Sequence, residues 1–199
     1  MNNVPTPRDL EELEEALATG DIRGACAYLN RRAPHRFTGI YRFDGSTLRN
    51  IHLVDGENPE LEIGRDAPLN ETYCSITGSG DVPFSTADAG KDARLKQHPA
   101  RVSTLSYRGV PLLDDTGRAI GTLCHFDLSA RPVPVAEMPL LQFAASIIVT
   151  KLRDLTNSRH TESPDLRCFS CSRHSFWGLP ETTGCSHAPA LGEATVLPV

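Results

Sequence analysis

An α+β fold, one central antiparallel sheet covered by helices, is what the sequence predicts, and three observations carry it. Tyr107 to Asp127 (YRGVPLLDDTGRAIGTLCHFD) is two apolar runs joined by Asp114-Asp115-Thr116-Gly117. Gly accepts positive φ and Asp bonds its own backbone, so this is hairpin chemistry. Phe37 to Val54 repeats the pattern, with the run FTGIYRF, an Asp44-Gly45 turn and a returning run from Leu48. Finally, Leu140, Leu141, Ala144, Ile148, Leu152 and Leu155 recur at helical spacing across residues 136–157. That apolar face is broad enough to cover a sheet or to pair with another helix.

The elements follow in order. Residues 7–18 read as a helix with Leu10, Leu13 and Leu17 on one face and acids near the N-terminal end of its dipole. Gly20 ends it, and Asp21 caps a second helix, lined by Ile22, Ala25, Cys26 and Leu29 and stopped by Ala33-Pro34. After the first strand pair, Asp55-Gly56 and Asn58-Pro59 open a loop. Asp66 is expected to cap the next helix, with Pro68 in its first turn. Leu69, Tyr73 and Ile76 fall there at i, i+4 and i+7, placing Cys74 beside the buried stripe, and Gly78-Ser79-Gly80 breaks it. Pro83 to Thr86 is a short strand, Asp88 caps a short helix through Leu95, and His98-Pro99 ends that helix. In the second strand of the central hairpin Ile120, Thr122, Cys124 and Phe126 share one face, and Gly121, Leu123 and His125 the other. Arg131 to Val135, with two prolines, connects to the last helix. The chain divides into an N-terminal helix (1–19), a folded domain (20–160) and a tail (161–199) rich in Ser, Gly, Pro, Cys and His without period.

At 199 residues, 39% hydrophobic and 23% charged, the chain has the length of one domain with additions, enough to bury about two thirds of its unfolded surface. Its net charge of −5 is unevenly placed: −4 in the first 20 residues, −2 in residues 160–199 and +1 between. No basic stripe offers itself to a phosphate backbone, so nucleic acid is not an expected partner. The N-terminus has no apolar leader. The most apolar window, residues 140–150, is interrupted by Gln142 and Ser146 and is well short of the roughly 20 residues that span a bilayer. A cytoplasmic protein, away from membranes, is therefore expected, with its six cysteines as reduced thiols or metal ligands. No Ser-His-Asp order, P-loop or glycine-rich dinucleotide fingerprint appears, which ranks hydrolase and nucleotide-dependent classes lower.

The hairpin also resembles a family. Ser106, Tyr107, Gly109, Val110, Pro111 and Leu112, then Asp114, Gly117, Ile120 to Cys124, Phe126 and Asp127, follow the form in which many bacterial GAF sensor domains write their last two strands. Thr72-Tyr73-Cys74 is similar to the helix that caps that family's ligand pocket. Asp88-Ala89 is similar to the turn closing its other side, and His98-Pro99-Ala100 is a further local match. The resemblance covers roughly residues 20–155. It implies a GAF-like sheet of five to six antiparallel strands, N- and C-terminal helices on one face and a ligand pocket on the other. It further implies a small-molecule sensor in signal transduction, with the 136–157 helix as a homodimer or signalling surface. Here Cys124-His125 lies on a strand, whereas the bilin-binding members attach chromophore through a Cys-His pair on a helix.

Several residues carry candidate chemistry. Tyr73, Cys74, Phe84, Asp88, Tyr107 and Phe126 form the expected ligand-binding face; core packing is the other account of the aromatics. Asp88 and Arg94 stand beside the pocket mouth, or serve as helix cap and surface charge. Cys74 and Cys124 meet in the pocket as a redox pair, or are two small buried hydrophobes. The first option opens an alternative function, thiol-dependent reduction of a small oxidised metabolite, as in the free-methionine-(R)-sulfoxide reductases, which are also small GAF proteins. In the tail, Cys168-x-x-Cys171 and Cys185-x-His187 supply four ligands for a tetrahedral zinc, with His174 as an alternative fourth.

Overall fold

Thr6 starts the first helix, α1 (Pro7–Arg32), through a reciprocal cap in which its hydroxyl accepts the Asp9 amide and the Asp9 carboxylate accepts the Thr6 amide. Pro7 fills the first helical position, where no amide hydrogen is needed. At Asp21 the backbone leaves helical space, with φ 61° and ψ −160°. The rod is therefore two helices joined at a kink, at the Gly20-Asp21 break, and the Asp21 carboxylate takes the Ile22 amide.

The computed structural model describes residues 4–61, 63–134 and 137–161, with side chains as far as Arg153. Six strands, β1 (Phe37–Asp44), β2 (Thr47–Asp55), β3 (Ala67–Pro68), β4 (Phe84–Thr86), β5 (Ser106–Leu113) and β6 (Ala119–Asp127), form one sheet in the order β3-β2-β1-β6-β5-β4. Every pairing is antiparallel. The two hairpins meet along β1 and β6, so the most apolar strands lie in the middle. Between β5 and β6 the Asp114 carboxylate takes the Thr116 and Arg118 amides, and Gly117 adopts φ 80°.

The sheet separates two cores. On one face α1 and α3 (Glu137–Thr161) pack together, with Leu13, Ile22, Leu29, Leu141 and Ile148 closing over Ile40, Val110 and Leu123. On the other, Phe37, Tyr41, Tyr107, Cys124 and Phe126 lie beneath α2 (Cys74–Gly80) and the segment after β4. This is the α+β arrangement expected, with both long helices on one face and a second, aromatic core on the other.

Local details depart from the sequence reading. Residues 66–80 are not one helix: Ala67-Pro68 pairs with Thr47-Leu48 at the sheet edge, a 3-10 turn covers Leu69–Glu71, and α2 begins only at Cys74. Pro68 has no amide hydrogen to offer a ladder, a lack that an edge strand tolerates. Asp66 caps nothing; its carboxylate takes the Asn50 amide and the Arg49 guanidinium. Asp88 likewise holds a turn through the Gly90 amide, and the short 3-10 helix Ala93–Leu95 is capped by Asp92. His98 begins a helical turn (Pro99–Val102) by accepting the Ala100 amide. Ile120 does not share the face of Cys124: a bulge sets Leu112 against Gly121 and Leu113 against Ala119, and Ile120 packs toward the long helices.

Candidate functional site

Cys124 sits at the centre of the aromatic face, and its partners across the ladder on both sides are glycines, Gly39 on β1 and Gly109 on β5. A Cβ at Gly39 would stand 2.5 Å from the Tyr41 ring, and one at Gly109 would stand 2.1 Å from the Tyr107 hydroxyl. The missing side chains let both tyrosines lie along their own strands and wall in the space around Cys124. Gly78 does the same for the roof, because a Cβ there would fall 2.5 Å from the Phe43 ring. Helix α2 therefore settles close against the sheet.

What remains is a cavity of about 30 Å³. Of the expected site residues, Tyr73, Cys74, Tyr107 and Phe126 line it, and Cys124 joins them. Thr72, which the resemblance sets in the capping segment, completes the wall with Tyr41, Leu48 and Thr104, three residues that the sequence did not point to. The signal that leads to Tyr41 is the pair of small residues flanking Cys124, legible only once the register is known. Phe84 stands behind the wall, its ring 6.1 Å from those of Tyr73 and Tyr107. Asp88 is not brought to the cavity: it is half-buried in its turn, paired with Lys91 at 2.8 Å, and that hydrogen bond lowers its pKa. Arg94 lies over the outer Phe84 ring at 4.8 Å and is tied to Asp92, whose carboxyl it holds at about 2.

No lining residue carries a charged side chain. The polar groups are hydroxyls and thiols: Tyr73 donates to the Thr104 carbonyl and Thr72 to the Leu69 carbonyl, while Tyr107, with Thr122 behind the wall, turns to one sulfur. Thr122 donates to Cys74 Sγ at 3.1 Å and Tyr107 donates to it at 3.5 Å, while Tyr107 also meets Thr77 at 3.2 Å. Burial alone raises the Cys74 thiol pKa; hydrogen bonds from Cys124, Thr122, Tyr107 and Thr72 outweigh it, and the net direction is downward. Cys124 moves the other way, raised by burial and by the neighbouring Cys74. Cys26, in the other core, is pushed up to about 12 by burial. The cavity thus holds two unlike thiols.

His125 points to the opposite face, bonded to Thr38 at 2.8 Å and stacked on His35 with ring centroids 6.0 Å apart. A larger groove, of about 750 Å³, runs between the far end of α2 and the β5–β6 turn, past Arg42, Asp81, Asp114 and Arg118. Its acids are engaged, Asp114 in the turn and Asp81 with the Ala119 amide. The smaller cavity is the better candidate because it borders the Cys74 sulfur, which accepts from Thr122 and Tyr107. The zinc set Cys168, Cys171, Cys185 and His187, with His174, lies outside the described residues. Among those described, no group of three or more His, Cys, Asp or Glu gathers to hold a metal, and no helix is long and apolar enough to cross a membrane.

No family model matches the chain, and no curated protein matches it. Solved structures do. A GAF domain from the Acinetobacter phosphoenolpyruvate-protein phosphotransferase superposes with TM-score 0.61 at 15% identity, covering 77% of this chain and 97% of that one. Free methionine-R-sulfoxide reductase from Neisseria meningitidis, solved with its substrate, gives 0.60 at 16%, covering 77% and 95%. The type II enzyme from Thermoplasma acidophilum gives 0.52 at 19%, covering 71% and 95%. At such identities the likeness speaks for the fold, which is GAF-like, and not for the chemistry.

Proposed function

We propose that this chain of GAF-like fold is a small-molecule-binding module that regulates a partner protein, with the cavity beneath α2 as its ligand site. The cavity carries the reading: it lies on the face away from the long helices, is walled by aromatics and borders the Cys74 sulfur, which accepts from Thr122 and Tyr107. A volume of about 30 Å³ seats a guest the size of one water. A metabolite-sized ligand therefore enters as α2, only seven residues long, lifts from β5 and β6. Strand β6 links ligand to output, since Cys124 faces the cavity and Leu123 touches the helical core. Helix 136–157 then serves as the homodimer or signalling surface. The Acinetobacter neighbour, a GAF domain from a phosphotransferase, supports a module that works beside a separate catalytic function. The test is a thermal-shift screen of metabolites against wild type and Gly109→Ala, whose new Cβ meets the Tyr107 hydroxyl. A ligand of this cavity should lose at least about tenfold in affinity, 1.4 kcal/mol, in the variant. A ligand that stabilises both proteins equally places the binding site elsewhere.

A second reading is a thiol-dependent reductase acting through Cys74 and Cys124, favoured by the two sulfurs sharing one cavity and by two neighbours that are free methionine-R-sulfoxide reductases. Against a free amino acid stands the uncharged lining, since a zwitterion buried there finds no partner for either charge. Thioredoxin-coupled turnover of free methionine sulfoxide that vanishes in the Cys74→Ser, Cys124→Ser double variant would replace the first reading. For the tail, zinc held by Cys168, Cys171, Cys185 and His187 (or His174) stays part of the proposal. Less than about a tenth of an equivalent of metal, in protein grown with zinc and purified without chelator, ends that part.

A further inference from the structure

We infer that the cavity is a reaction site for hydrogen peroxide, which oxidises Cys74 and then closes a Cys74–Cys124 disulfide between α2 and β6. The inference rests on the cavity being the functional site, and four observations lead to it. The space left for a guest, about 30 Å³, admits a molecule of one or two heavy atoms without any movement of α2. The lining carries no charge, so a neutral guest enters at less desolvation cost than an ion. Two hydroxyls, of Thr122 and Tyr107, donate to Cys74 Sγ, the arrangement that stabilises a thiolate. Cys124 lines the same small space as a second thiol.

The chemistry balances with the peroxide as the only oxidant. Cys74 thiolate attacks one peroxide oxygen; an S–O bond forms as the O–O bond breaks, and the departing hydroxide takes a proton to leave as water. The Cys124 thiol then attacks the sulfur of the Cys74 sulfenic acid, giving up its proton to the departing hydroxide. The S–S bond forms, the S–O bond breaks, and a second water leaves with the remaining thiol proton. Two thiols and one peroxide become one disulfide and two waters. The product ties the roof of the cavity to its floor, so oxidation shuts out any ligand that needs α2 to lift.

The test uses the full reduced chain treated with equimolar hydrogen peroxide, quenched with N-ethylmaleimide and mapped by tryptic mass spectrometry. Cleavage after Arg65, Lys91, Arg118 and Lys151 leaves Cys74 and Cys124 alone on separate peptides, and Cys26 on a third. A cross-link between peptides 66–91 and 119–151 is expected, with Cys74 lost at least about tenfold faster than Cys26, which lies in the other core and has the higher pKa. Cys124→Ser should stop at a Cys74 sulfenic acid trapped by dimedone. Thr122→Val keeps the shape and removes one donor, and should slow Cys74 oxidation about tenfold. Cys26 reacting as fast as Cys74, an unchanged rate in Thr122→Val, or disulfides confined to the tail cysteines each overturn the inference. If the cross-link fails while a metabolite still distinguishes Gly109→Ala from wild type, only the peroxide chemistry falls. If the cross-link forms and no metabolite does so, the metabolite-binding reading falls.

Discussion

His35 and His125 stack on the helical face of the sheet, where Arg108 stands in register beside His125 and makes no ion pair among the described residues. Burial holds His35 down to about 4, helped by the charges of Arg108 and Arg131 and opposed by Asp127. Burial holds His125 down to about 3, helped by His35 and Arg108. Both are therefore neutral in the folded protein. A histidine whose folded pKa lies below its unfolded value contributes fully above about pH 6.5, and that contribution is lost as pH falls toward the folded value. For His35 alone the loss between about 6.5 and 4 is roughly 3 kcal/mol. His35→Phe should flatten this limb, because neither ring nitrogen of His35 has a hydrogen-bond partner to lose among the described residues. Urea midpoints from pH 7 to 4.5 check it, above the range where the buried carboxylates Asp55 and Asp127 begin to protonate. Equal slopes in wild type and variant would remove His35 from the account. The sidedness of His125 was legible from strand alternation with Cys124. Its partner was not, because His35 comes from the irregular turn before β1 and meets His125 only when β1 pairs with β6.

At the scale of elements, the kink in α1 shows how much one residue tolerates. Asp21 has φ 61° and ψ −160°, a region that is essentially glycine's and costs other residues about 1–3 kcal/mol. Asp21→Gly should raise stability by about 1 kcal/mol even though it gives up the bond from the Ile22 amide, and Asp21→Ala should lower it. Thermal melts of the two variants decide the matter, and a loss of stability in Asp21→Gly would mean that the carboxylate bond outweighs the strain. The break itself was legible, because Gly20-Asp21 punctuates two apolar stripes. Residues 66–80 were not, and the reason is non-local. The spacing of Leu69, Tyr73 and Ile76 and the presence of Pro68 suit a helix. What decides is the open edge of β2, which takes Ala67-Pro68 as a partner and delays α2 to Cys74. Ile120 was misplaced for a similar reason, since alternation assumes an unbroken ladder and the bulge beside Leu113 is invisible until β5 and β6 are paired.

For the whole molecule, the strands of both hairpins and the two long helices carry the fold in local patterns of turn residues and apolar period, and these were readable. The cavity is assembled differently. Tyr73, Cys74, Tyr107 and Phe126 came from alternation and family resemblance, while Tyr41 and Leu48 enter only because β1 and β2 curl beside β6, with Gly39 opposite Cys124. Access to the cavity is controlled at the seam between α2 and the sheet. Helix α2 rests on the sheet through Gly78, which leaves room for the Phe43 ring, and through Thr77 and Cys74, which bond to Tyr107. Gly78→Ala sets a Cβ 2.5 Å from the Phe43 ring, so either the ring or the helix must shift. If α2 moves, Cys74 becomes reachable while Cys26, in the core on the other side of the sheet, does not. Overpacking of this kind costs about 1–3 kcal/mol, so the variant should melt lower yet remain folded. Alkylation by iodoacetamide, followed peptide by peptide, should then be about tenfold or more faster at Cys74 than in wild type and unchanged at Cys26, a factor of ten corresponding to 1.4 kcal/mol in the opening equilibrium. Equal acceleration at both cysteines would report general loosening. No acceleration at Cys74, with the melt lowered, would mean that the Phe43 ring shifts and α2 stays seated on the sheet.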